Sequence, residues 1–297
     1  MNENSRDSEG QGEEHRSDRF RDVVRLFVRN RLAVIGFILL LLVVFAAITA
    51  PWIAPYDPYE QRLEDKRSTP SAKYLLGADE FGRDILSRIL YGARVALMVG
   101  VMAVVVALLI GLVFGTIAGY TGGAVDEIIM RGADIMLAFP YLLLALIIVT
   151  ALGASAINTT IAVGLWGAPS FVRVVRSSVV SIKDREFITA AKAMGAPVSR
   201  IMIRHLVPNF VAPVIVFATL FMARAIMVEA ALSFLGLGVQ PPEPSWGLMV
   251  SSGRNYITIA PHMATMPGIA IMITILAFNL LGDGLRDALD PRMRNVG

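Results

Sequence analysis

Two charged residues, Arg224 and Glu229, stand inside the otherwise apolar stretch Phe210–Phe234. A charge at the centre of a membrane helix costs roughly 2.5–3.5 kcal/mol on insertion scales, so each side chain must meet water or a partner. Five residues separate them, about 140° around a helix at ~100° per residue, so they do not share a face. Two uses fit: lining the path of a charged solute, or a structural contact with another helix or subunit. A second group, Asp79, Arg83 and Asp84, lies just before another apolar run. It suits either contact with a protein partner or a salt-bridged lid. Glu127 and Arg131 are four apart, a favourable helical pair, with Asp126 and Asp134 beside them. These four fit a stabilising cap or a further protein contact.

Other chemistries are missing. Cysteine is absent, which excludes disulfides, thiolate nucleophiles and Cys-based metal sites. The three histidines, His15, His205 and His262, form no H-E-x-x-H pattern. No Gly-Lys pair occurs anywhere, so the usual P-loop cradle for ATP is absent. An enzymatic role finds no support, and any work the protein does must be coupled from elsewhere.

The elements that position these residues follow from composition. Of 297 residues, 55% are hydrophobic and 17% charged, with a mean hydropathy of +0.62. A soluble domain carries about 25% charge. The apolar residues gather into runs near the ~20 residues that cross a bilayer core. Six are expected as helices: Leu32–Ala50, Val95–Ala118, Ile135–Leu152 (interrupted by Pro140), Ile157–Val172, Phe210–Phe234 and Met263–Leu281. The expected fold is thus an all-α integral membrane bundle. The net charge of +3 says little about a nucleic-acid partner, and none is expected. With six spans, most of the 27 basic residues fall on the side of both termini, which predicts a cytoplasmic N-terminus and C-terminus. The organisation expected is a tail over 1–31 (disordered over 1–18), a first span over 32–50, an outer loop over 51–93, and a five-span core over 94–297. Trp52 and Trp246 are expected at the outer interface.

The longest cytoplasmic connection, about 173–208, reads as two short helices. The first covers Glu186–Met194 and stops at Gly195, since glycine takes the left-handed conformation past a helix end. The second begins at Pro197, a favoured first helical position. Ile201, Ile203, Leu206 and Val207 give it an apolar side, and Arg200 and Arg204 a basic one. Such an elbow suits docking into a groove of another protein, or lying on the membrane surface.

This stretch resembles the coupling loop of ABC-importer permeases, whose pattern is E-A-A, three residues, Gly, nine residues, Ile-x-Leu-Pro. Ala190, Ala191, Gly195 and Pro208 match it; Thr189, His205 and Val207 depart from it. LLGADEFGRDILSRILYGARVAL (Leu75–Leu97), DEIIMRGADIMLAFPYLLLAL (Asp126–Leu146) and EAALSFLGLGVQPPEPSWGLMV (Glu229–Val250) resemble the peptide/nickel branch of that family. The first span followed by PWIAPYDP looks like its C-type subunit. The resemblance covers about Arg25 to Arg294.

It implies a permease subunit in the plasma membrane of a prokaryote, forming half of a translocation pore, with di- or oligopeptides as the expected solute. The implied partners are a second homologous permease, two ATPase subunits or domains, and an extracytoplasmic solute-binding protein, all around a lipid bilayer. ATP and Mg would be bound by those partners, with no cofactor in this chain. Glu186, Thr189, Ala190, Ala191, Gly195, Arg200, His205, Val207 and Pro208 would make the ATPase-coupling elbow. Arg224 and Glu229 would be path candidates, where peptide termini or a cation pass, and Asp79, Arg83 and Asp84 binding-protein contacts. Nickel or glutathione import, or ion-coupled secondary transport, are the alternatives.

Overall fold

The computed structural model describes residues 24–289, in which every regular element is helical. The expectations for residues 1–18 and for the C-terminal residues 290–297 lie outside the described part.

Helix α1, Arg31–Ile53, is capped by Asn30, whose side chain accepts from the backbone N–H of Leu32 and Ala33 at 3.1 and 3.2 Å. At 1.5 Å per residue its 23 residues span about 35 Å. Its large side chains, among them Ile38, Leu42, Phe45 and Ile48, are exposed, and only Ala33, Gly36, Ala47 and Ala50 are buried. Helix α9, His262–Leu289, packs on that small-residue strip: a Cβ at Gly36 would sit 2.6 Å from Leu280 Cβ. An apolar outer surface with small residues inside is the pattern of a lipid-facing helix.

Helix α2, Ile85–Thr121, is 37 residues long. Asp84 caps it, its carboxylate accepting from Ser87 N at 2.8 Å. Gly111, Gly115 and Gly119 recur at four-residue spacing on one face. Cβ atoms there would sit 2.4 Å from Phe171 Cβ, 2.7 Å from Val172 O and 2.8 Å from Val179 Cβ. This stripe lets α5, Ala156–Ile182, lie against α2 along its length.

Between them come α3, Gly123–Ala138, and α4, Tyr141–Leu152, bent by 93° at Phe139–Pro140. Phe139 takes the extended conformation that a residue before proline prefers (φ −76°, ψ 137°). The interruption expected at Pro140 in Ile135–Leu152 is a sharp break, and the helix before it starts earlier than expected, at Gly123. Tyr141 meets Trp166 (ring centroids 5.6 Å), Trp166 meets Phe221 (5.3 Å), and Phe221 meets Phe171 (5.3 Å), which ties α4 and α5 to the next long helix.

After the short α6, Glu186–Ala193, that long helix, α7, runs unbroken over Val198–Phe234. It absorbs both the second short helix and the fifth span expected from the sequence. Its segment Ile201–Leu206 is a π-helix, with Val207 N donating to Met202 O. Helix α8, Trp246–Arg254, and α9 complete the fold.

Among the described residues, four helices (α1, α2, α7 and α9) are long and apolar enough to cross a bilayer, and five when the bent pair counts as one. Helix α5 is long enough at 27 residues but less apolar, carrying Asn158, Thr159, Thr160, Arg173 and Arg176. Two boundaries are corrected. Helix α2 starts ten residues before Val95, because Asp84 caps it and a folded cap shelters its charged first turns. Helix α1 continues through Pro51. Trp52 is 78% exposed, as an interfacial residue would be. Trp246 is instead buried on α2, its Nε1 donating to Ile89 O at 3.0 Å beside Gly92.

Candidate functional site

The elbow at the C-terminal end of α2 is built from Lys183 to Pro208. Helix α6 closes with Gly195 at φ +76°; Gly195 N donates to Lys192 O and Ala196 N to Ala191 O, at 3.0 and 3.1 Å. These two bonds form a Schellman motif. No atom lies within 4 Å of a Cβ placed at Gly195, so the glycine serves backbone conformation and not space. Pro197 sits one position before the helical start at Val198, as its cap.

The inner side of the elbow is apolar. Ile188, Ala191, Ile201 and Leu206 are buried and pack with Val175, Val179 and Phe210 of α5 and α7. The end of α2 braces it: Lys183 Nζ donates to Gly119 O at 3.0 Å, and Lys192 lies over the Tyr120 ring at 5.4 Å. Ile203, expected on one apolar side with Ile201, Leu206 and Val207, is 72% exposed. The π-segment widens the helical turn, so Ile201 and Leu206, five residues apart, share the buried side, while Ile203, two residues after Ile201, faces away from it. Asn209 Nδ2 donates to His205 O at 2.7 Å in the turn where Pro208 offers no backbone N–H.

The outer side presents Phe187, Met194 (81% exposed), Val198 and Ile203 as apolar knobs. Glu186, Thr189, Ala190, Arg200 and Pro208 are exposed with them, and His205 and Val207 are half-buried. The two matching alanines divide their roles: Ala191 faces the plug and Ala190 the open surface. Behind the elbow, Arg176 makes paired bonds of 2.6 and 2.5 Å to Asp126, and Arg173 reaches Asp134 at 2.6 Å. These tie α3 to α5, contacts that the sequence reading missed because 50 and 39 residues separate the partners. Glu127 and Arg131 pair as expected, at 2.7 Å and exposed.

The two charges of the apolar stretch part company. Arg224 is exposed on α7, on the side that also shows Met227. Glu229 is 1% exposed, and its Oε1 accepts from Ser233 Oγ at 2.8 Å and Ser245 Oγ at 3.1 Å. Its geometry is that of the structural contact, knotting α7 to the loop before α8. The i,i+4 spacing of Glu229 and Ser233 was readable; Ser245 was not.

At the opposite end of α2, residues 54–84 fold into a cap. Asp79, Arg83 and Asp84 are all buried there. Asp79 accepts from Arg83 Nε at 2.6 Å and from the backbone N–H of Phe81 and Arg83 at 2.8 and 3.0 Å. Asp84 Oδ2 accepts from Ser87 N and Oγ, while its Oδ1 is buried without a hydrogen bond. Asp79 and Arg83 thus form the salt-bridged alternative, buried rather than solvated, and Asp84 caps α2. Tyr59 joins the cap to the loop before α8 by donating to Glu243 at 2.9 Å; burial first, then that bond, pushes its hydroxyl up to about 12. Lys73 and Tyr74 hold the Asp65 carboxyl below its usual range. No group of three or more potential metal ligands occurs among the described residues.

A multi-helix membrane bundle with a surface elbow at one end and a folded cap at the other defines the class of permease subunits of binding-protein-dependent transporters. Residues 111–295 match the family of binding-protein-dependent transport system inner membrane components, to which the chain belongs. Residues 19–70 match the N-terminal transmembrane domain of oligopeptide transport permease C, which makes it a C-type ABC permease. It is a multi-pass inner-membrane transport component rather than an enzyme. It is 47% identical to the di/tripeptide transport system permease protein DppC of Pseudomonas aeruginosa (strain UCBPP-PA14), over 91% of each chain. It is equally identical to the dipeptide transport system permease protein DppC of Alkalihalophilus pseudofirmus, over 93% of this chain and 91% of the relative. It is 44% identical to the glutathione transport system permease protein GsiD of Escherichia coli O157:H7, over 91% and 89%. Among solved structures, the inward-facing MetNI methionine ABC transporter shares the fold, with a TM-score of 0.56 at 17% identity over 68% of this chain and 97% of that one.

Proposed function

We propose that this chain forms half of the translocation pore of an ATP-driven importer of di- and oligopeptides. The observation that carries the coupling role is the elbow: apolar knobs held outward on a rigid apolar plug, in a chain with no P-loop of its own. The names of the relatives support peptides as the solute class, and glutathione, itself a small peptide, is the second reading. Both termini lie in the cytoplasm, and six spans cross the membrane, α5 being one of them. A second homologous permease completes the pore. Two ATPase subunits bind ATP and Mg and receive the elbow in a cleft, where Glu186, Thr189, Ala190, Gly195 and Arg200 line the contact. An extracytoplasmic binding protein delivers the solute. Asp79, Arg83 and Asp84 shape the cap it meets, and Arg224 is the path candidate of the pair in α7.

Closure of the ATPases on ATP draws the two elbows together. Because each elbow is fused to α5 and α7 through a packed plug, its displacement moves those helices as rigid bodies and shifts the pore between outward and inward openings. Thr189 stands where the family pattern has glutamate, so the contact there lacks that charge. The test is uptake of a labelled dipeptide by vesicles holding the permease pair with its ATPases and binding protein. ATP-dependent accumulation is expected. Uptake by the isolated chain on an ion gradient, without ATPases, would replace this reading by secondary transport.

A further inference from the structure

Beneath the cap lies a cavity of about 170 Å³, walled by Asp79, Glu80, Arg83 and Arg88 on one side and by Phe81, Leu248, Met249 and Met263 among the apolar groups. Its charges are not all spent on one another. Asp79 accepts two backbone N–H groups on Oδ1 and Arg83 Nε on Oδ2. Glu80 has only a loose contact, 3.8 Å to Arg83 Nη2. Arg88 is 2% exposed and gives Nη1 to Pro58 O at 2.9 Å. Its Nε is buried with no hydrogen-bond acceptor; the nearest carboxylate oxygen, on Asp79, is 3.6 Å away. A guanidinium N–H shut away from water without an acceptor is costly. One cavity therefore combines a guanidinium only loosely paired with Asp79, a carboxylate only loosely paired with Arg83, and an apolar wall.

We propose that this cavity binds the zwitterionic backbone of an amino acid or very short peptide, its carboxylate on Arg88 and its ammonium on Glu80. The four charged side chains sum to zero, which disfavours a simple anion or cation and matches a ligand carrying both signs. The apolar wall takes one small side chain. The site lies at the cap, beside the first turns of α2, whereas the path candidate Arg224 stands on α7. Its occupant would fill the space between the cap and the start of α9 and so stiffen the cap. The choice of ligand rests on the peptide reading above.

The probe is Ala-Ala, titrated calorimetrically against the assembled permease–ATPase complex in nanodiscs without binding protein. Saturable binding is expected, weakened about tenfold or more by N-acetylation and by C-amidation, since each removes one charge-assisted contact. Glu80→Gln should weaken Ala-Ala about tenfold while leaving assembly with the ATPases unchanged. Arg88→Lys, which keeps the charge but loses the planar fork, should do the same. Absence of binding, or binding indifferent to end-blocking or to Glu80→Gln, would overturn the proposal and leave the cavity to water. Uptake of Ala-Ala by the full system with its binding protein is measured alongside. Uptake without cap binding refutes only the cavity site, whereas a full system that takes up no peptide refutes the peptide reading itself.

Discussion

The two ends of α2 solve opposite problems. At the elbow, apolar residues stand on the surface and are held from behind by more apolar residues. At the cap, charged residues are buried and held by one another. The elbow's fixed points, Ile188, Ala191, Ile201 and Leu206, need only shape and area, so its outer face is free to vary in chemistry. The cap's fixed points, Asp79, Arg83, Asp84 and Arg88, need specific partners at 2.6–3.6 Å, and each loss leaves a charge or donor stranded. The lesson is that charge in the sequence did not mark what stays exposed. The charged cluster before α2 is folded inward, while the elbow leaves Phe187, Met194, Val198 and Ile203 open.

This contrast can be broken at its strongest point first. Asp79→Ala removes the shared acceptor of Arg83 and Arg88 and leaves buried cations uncompensated. A loss of about 3–5 kcal/mol is expected, read as a fall in thermal midpoint of the detergent-solubilised complex or as failure to accumulate. An exposed, water-compensated cluster would lose well under 1 kcal/mol.

At the elbow, Ile188→Ala opens a cavity beneath α6 and should cost about 2–4 kcal/mol of local stability. The expected readout is faster hydrogen exchange over 183–206, with the cap unchanged. Equal loosening of both ends would deny that they are independent.

Gly195→Val puts a β-branched residue at φ +76°, a cost of about 1–2 kcal/mol or more at one backbone position. Membrane abundance should stay near normal while ATP-dependent uptake falls several-fold. Normal uptake at normal abundance would remove the elbow from the coupling path. Gly195→Asn, which tolerates the left-handed conformation, should restore most of the activity, since no neighbour crowds the site.

The smallest effect belongs to Tyr59→Phe, which removes one hydrogen bond to Glu243 and should cost about 1 kcal/mol. The Tyr59 hydroxyl is raised from 10.0 to about 12, so the folded cap prefers its protonated form. The associated stability is complete below pH 10 and is lost as pH rises through about 12. The Phe variant should show no such alkaline step in thermal midpoint.

Much of this was legible in the chain alone. Long apolar runs, the Gly195 stop and the Pro140 interruption each depend on local composition and local backbone preference, and each appears where expected. The illegible parts share one cause. A hydropathy window counts Asp84 and Arg88 as charges against a span, so it starts α2 at Val95; only folded partners make those residues acceptable in a helix that begins at Ile85. Likewise the expected span Ile157–Val172 stops short of Arg173 and Arg176, yet α5 runs through both to Ile182, since their carboxylate partners sit on α3. Ile203 reads with Ile201 as one apolar side, yet residues two apart lie about 200° around a helix, so Ile201 is buried and Ile203 is exposed.

The sequence by itself determined the medium, the helical class, the family and the place of the elbow, since these follow from residue types and spacings that act within a few turns. Tertiary structure decided which charges are spent. Glu229 is closed into a knot with Ser233 and Ser245, Asp79 is shared between Arg83 and Arg88, and Arg88 Nε is left without a hydrogen bond. The physical reason is that a charge buried away from water is governed by its nearest few ångströms, and in this chain those neighbours come from helices and loops far apart in sequence.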